Sequence, residues 1–128
     1  MDYLEIKNQL HTLFDDNTLP LGQNICLEPN SFQYRAIEKN LDRLRREFIP
    51  QQVFTSLVFD ISLLSDEIVL YYLPILFESM VRYKGHYRFL YSRLQNLSSE
   101  FLSQKQLKAI GNAIDYLINE EALEDEEI

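Results

Sequence analysis

The sequence predicts an all-α fold, a single compact bundle of about five to six helices around a proline-kinked central helix. Three observations lead there. Apolar residues recur at spacings of three and four along most of the chain, the period of one helix face. Three glycines and four prolines in 128 residues are too few for the many tight turns of an all-β sandwich. Hydrophobic residues make up 46% and charged residues 25%, which supports a core and excludes wholesale disorder. The length suits one domain that needs no staples.

The elements follow in order. Tyr3, Ile6, Leu10 and Leu13 form one face of a first helix, flanked by Leu4 and Phe14 and ended by Asp15, Asp16 and Asn17. The stretch "NTLPLGQNICLEPN" holds Pro20, Gly22 and Pro29 and reads as a loop pinned by Leu19, Leu21, Ile25 and Leu27. Asn30 or Ser31 caps a second helix, whose apolar face is Tyr34, Ile37, Leu41, Leu44 and Phe48 and which stops before Pro50. Its bases, Arg43 and Arg46 among them, alternate with Glu38, Asp42 and Glu47, the pattern of a solvated face rather than of a phosphate-binding patch. Val53, Phe54, Leu57, Val58 and Ile61 fit either a helix or a short β-branched strand. A lone strand in a helical chain has no partner, so the expectation is a helix.

The central helix is the stretch "SDEIVLYYLPILFESM". Ser65 is a good N-cap, and Asp66 and Glu67 favour the positive end of the dipole. Apolar residues then appear nearly all round, as in a helix covered by its neighbours. Pro74 removes the amide that would bond the Leu70 carbonyl, so a kink or a division is expected, with Tyr71 and Tyr72 turned away from each other, one inward and one to the rim. Gly85 ends this helix. A fifth starts near His86 with Tyr87, Leu90, Leu94 and Leu97 as its face, widened by Tyr91, and with Arg88 and Arg93 off it. Ser103 and Gln106 form a capping-box pattern for a last helix that turns Leu107, Ile110, Ile114, Leu117 and Ile118 inward.

The formal net charge of −8 is unevenly spread. Residues 119–128 hold six acids and no base, whereas residues 51–118 hold six of each. The expected organisation is a helical domain over 1–118 and an acidic tail over 119–128, frayed from Glu120 because acids at a helix C-terminus oppose the dipole.

The search for chemistry yields little. Three isolated glycines build no phosphate loop. His11 and His86, the two imidazoles, stand in no metal-ligand spacing, so neither a metal nor another cofactor is expected. Cys26 is alone and lies in an apolar loop without an adjacent base, which reads as a structural thiol. The longest apolar run, Ile68 to Phe77, is ten residues, short of the ~20 of a membrane helix. The first residues carry acids where a signal peptide needs bases. With the lone cysteine this points to a cytoplasmic protein. The tyrosines are the richest signal. Tyr71, Tyr72, Tyr83, Tyr87 and Tyr91 crowd one stretch, and rings with polar tips suit core edges and protein interfaces alike.

The segment "FDISLLSDEIVLYYLPILFESM" resembles the centre of a family of small uncharacterised bacterial helical proteins, whose pattern is an acidic helix start followed by Tyr-Tyr-Leu-Pro-Ala-Phe-Leu. Ser65, Tyr71, Tyr72, Leu73, Pro74, Leu76 and Phe77 carry the match, and Ile75 stands where that family has alanine. The segment from Phe101 to Leu117 resembles its ending, so the likeness spans about residues 32 to 118. The tryptophan common in that family is absent. The resemblance implies a helical fold and no catalytic residue. In type, the small acidic helical build is also similar to bacterial immunity proteins, which neutralise a cognate toxin.

The expectation for function is therefore a non-catalytic protein-binding protein, most concretely an immunity protein that masks a basic toxin domain, such as a nuclease of contact-dependent growth inhibition. Acidic side chains would steer the partner and tyrosines would anchor it. The expected contact residues are Asp66, Glu67, Tyr71, Tyr83, Tyr87, Tyr91, Glu120, Glu121, Glu124, Asp125 and Glu126. Neither nucleic acid nor membrane is an expected partner. The alternative is a small structural or regulatory protein that forms a homodimer through the apolar central helix.

Overall fold

The computed structural model describes residues 2–14, 49–100 and 102–126, with side chains described as far as Leu123. The expected loop with Cys26 and the second helix with its Arg43–Arg46 cluster lie outside the described residues. Those residues form α1 (Tyr3–Leu13), α2 (Gln51–Phe59), a short 3-10 turn (Ile61–Leu63), α3 (Asp66–Tyr83), α4 (Tyr87–Gln95) and α5 (Gln104–Glu126). The fold is all-α, as the apolar periodicity requires. α5 packs along α4 on one side and α1 on the other, α1 also meets α3, and α2 leans on α3.

Each helix starts where its capping residues allow. The Asp2 carboxylate accepts the Glu5 amide at 2.8 Å and opens α1. Pro50, expected only to stop a preceding helix, stands at the start of α2, where its fixed φ and missing N–H cost nothing. Val53, Phe54, Leu57, Val58 and Ile61 are all buried, so the ambiguous stretch is helical and faces the core. Ser65 caps α3 by accepting the Ile68 amide at 3.4 Å. The capping box of α5 is complete. The Ser103 amide donates to Gln106 Oε1 at 2.9 Å, and the Gln106 amide donates to Ser103 Oγ at 3.1 Å. Gln106 Nε2 also donates to the Leu13 carbonyl at 3.1 Å, so the start of α5 closes the end of α1.

α3 runs uninterrupted from Asp66 to Tyr83 with Pro74 inside it, so the helix is not divided. From Tyr72 to Met80 every residue is buried, which makes α3 the central element. This chain's own helices cover the central helix, whose apolar residues join the core cluster. Phe77, fully buried, stacks on Tyr3 at 5.6 Å between ring centroids and meets Tyr116 edge-on at 5.7 Å, locking α1 and α5 to α3.

Four further expectations are corrected. Tyr72 is buried and Tyr71 half-buried at the rim, yet their rings do not diverge: they touch edge to face at 4.8 Å. Adjacent helix positions lie about 100° apart, and two long rings can lean back across that angle. Arg93 lies within the core edge instead of off the helix face, because it serves a buried polar knot described below. Ile118 is 40% exposed, while Ala109 and Ala113 are buried in its stead. The inner stripe of α5 is Ala109, Ile110, Ala113 and Leu117, and the two alanines let neighbouring helices approach closely. Last, α5 continues to Glu126 where fraying was expected from Glu120. Bonds from Tyr116 to Glu120 and from Arg88 to Glu121 secure the turn at which the acids begin.

Candidate protein-binding surface

Phe59 ends α2 on the side opposite its buried face, and Phe89 lies in α4 one turn before Arg93, at the edge of that helix's buried face. They remain 55% and 41% exposed, unusual for phenylalanine, and pack edge to face at 5.4 Å. His86 completes the cluster, its ring 5.3 Å from Phe59 and 5.9 Å from Phe89. A strained turn holds it there. Lys84, Gly85 and His86 have φ of 49°, 111° and 60°, a left-handed run in which only glycine is at ease. Beside the cluster lies a groove of about 340 Å³. Phe59, Ile61 and Phe89 supply its apolar lining, Ser62, Ser92 and Asn96 its hydroxyls and amide, and Arg88 and Arg93 its charge. Among the described residues no carboxylate lines it, and both arginines are already paired, Arg88 with Glu121 and Arg93 with Asp66.

Arg88 joins this groove to the acidic end of α5. Its side chain is 74% exposed, but Nε donates to the Tyr91 hydroxyl at 3.2 Å and Nη2 donates to Glu121 Oε1 at 3.0 Å. Tyr91 in turn donates to Glu121 at 3.3 Å. The Tyr91 and Glu121 contacts hold the guanidinium above its ordinary pKa and fix its orientation. Of the expected contact residues, the structure thus brings Tyr91 and Glu121 together. Glu120 sits half-buried against Tyr116, whose hydroxyl is pushed up by burial first and by Glu120 second. Glu124, Asp125 and Glu126 follow on the last turn of the same helix.

The remaining expected residues lie elsewhere. Arg93 is buried and gathers three acceptors, donating to the Ile61 carbonyl at 3.2 Å, the Leu64 carbonyl at 2.8 Å and Asp66 Oδ1 at 2.6 Å. Asp66 also accepts the Ser98 amide at 3.0 Å. Burial raises the Asp66 pKa, but the Ser98 amide and the Arg93 guanidinium together outweigh it and hold the carboxyl below its ordinary value. Asp66 is thereby occupied in linking α3 to α4, while Glu67 beside it is exposed. Tyr83 is half-buried, donates to the Ile49 carbonyl and packs its ring on Phe54. Tyr87 is 2% exposed and belongs to the core. Tyr71 stays at the rim against Tyr72.

A second polar cluster lies between α1 and α3. Glu78 is buried, and its Oε1 meets His11 Nε2 and, at 3.6 Å, Lys7 Nζ. His11 and Lys7 are four residues apart on α1, so one helix face presents two nitrogens to one carboxylate. Burial, and after it the Glu78 charge, pushes the nearby Tyr3 hydroxyl up. The arrangement ties α1 to α3. Among the described residues no group of three or more His, Cys, Asp or Glu could hold a metal ion, and no helix is long and apolar enough to cross a membrane.

Sequence reasoning missed the exposed phenylalanines, the Arg93 knot and the Glu78 cluster. A signal existed for the first. Phe59 falls outside the 53-54-57-58-61 face, and Phe89 outside the 87-90-94 face, so each is an aromatic residue off the apolar stripe of its helix. Glu78 carried a weaker one, a single acid inside an otherwise apolar run. Comparison with protein-family models, with curated proteins and with solved structures finds no match to this chain, so its surfaces are interpreted from their own chemistry.

Proposed function

We propose that this chain is a non-catalytic protein-binding protein, and more specifically an immunity protein that holds and masks a basic toxin domain. The observation that carries the reading is the end of α5. The helix runs to Glu126 although its last turns hold five acids and no base, against the negative end of their own dipole. Such an end is electrostatically unfavourable in the free molecule, and a cationic partner relieves it. Charges of one sign packed within about one Debye length act as one strong pole, which accelerates encounter with a basic protein. Tyr91 beside Glu121 supplies an aromatic anchor next to that pole. The likeness in type to bacterial immunity proteins supports the same reading. A small helical protein that dimerises stands second, and it would need a surface other than the covered face of α3.

The experiment is a protection assay. A toxin domain encoded beside this chain is expressed in cells with and without it, and the pair is co-purified. The expected result is survival with the intact chain and a stable complex. Charge-neutralised variants with Glu120, Glu121 and Glu124 changed to Gln are expected to associate more slowly, with a weaker salt dependence. Cells that lack the chain yet resist the toxin would overturn the reading.

A further inference from the structure

We draw no further inference here: the strongest candidate, the apolar groove that Phe59, Ile61 and Phe89 line between α2 and α4, carries nothing, because its arginines are already paired with Glu121 and Asp66 and nothing in the structure shows what covers it.

Discussion

Replacing Arg93 with Met tests the idea that a buried cation holds the junction of α2, α3 and α4. Methionine matches the aliphatic stem but removes every donor. The Ile61 and Leu64 carbonyls lose their bonds at 3.2 and 2.8 Å, and Asp66 loses its cation. The Leu64 carbonyl left unpaired costs about 1–3 kcal/mol; the Ile61 carbonyl keeps the Leu64 amide at 3.3 Å and loses only its second bond, about 1 kcal/mol, and the better packing of a thioether returns part of the total. The Asp66 side chain is 35% exposed and keeps the Ser98 amide, so its share is discounted by solvent screening to less than about 1 kcal/mol. The net expectation is a loss of about 3 kcal/mol, a large part of the 5–15 kcal/mol typical of a domain. With a urea m-value of about 1.5 kcal/mol/M, the unfolding midpoint followed by circular dichroism falls by about 2 M. Asp66→Asn, which leaves both carbonyls served, should cost about a third as much. A midpoint for Arg93→Met within about 0.5 M of the parent, or an equal loss in Asp66→Asn, would refute the view that the carbonyl bonds dominate.

Three more outcomes are expected. Gly111 lies inside α5, and a Cβ built there meets nothing within 4 Å, so Gly111→Ala should stabilise the protein by about 0.5–1 kcal/mol in the same urea assay. Lys84 is exposed with φ of 49°, so Lys84→Gly should raise the midpoint by an amount worth about 1 kcal/mol. The lowered Asp66 carboxyl contributes stability that is present above its unfolded value, near pH 4, and is lost as pH falls through the folded one. Asp66→Asn should therefore flatten the acid limb of a melting-temperature profile below about pH 4, whereas a steep limb unchanged in the variant would assign acid sensitivity to other carboxylates.

Much of the fold was legible because its local signals agreed with one another. Ser65, the Ser103–Gln106 box and the apolar faces of α1 and α2 each needed only their own neighbours in sequence, and the structure has them as expected. The errors arose where a residue answers to a distant element. Arg93 looks like a surface base until the end of the 3-10 turn brings two carbonyls to it from about thirty residues away. Glu78 looks like an intruder on an apolar helix until α1 brings Lys7 and His11 alongside, and Ile118 looks inward until two alanines rotate the buried stripe of α5. The candidate surface was half legible. Tyr91 and Glu121 were named from their residue types, but their meeting depends on Arg88, and Tyr87 shows that helical spacing alone does not separate a ring in the core from one outside it.

The seam between α1 and α5 has a consequence for the order in which the chain can assemble. Gln106 reaches the Leu13 carbonyl and Asn112 reaches Gln9, across sequence separations of 93 and 103 residues. During synthesis at about 5–20 residues per second, α1 waits roughly 5–20 s for the helix that completes its cover. α3 emerges sooner and meets α1 where Phe77 stacks on Tyr3 and Glu78 meets His11, but the Tyr3 ring has no Tyr116 to meet until α5 is made. Closing so long a loop adds an entropic barrier that grows as the logarithm of its length. Among the described helices α1 is therefore one of the last to be locked, and folding rate should respond more to changes along this seam than to changes in the locally capped starts of α3 and α5.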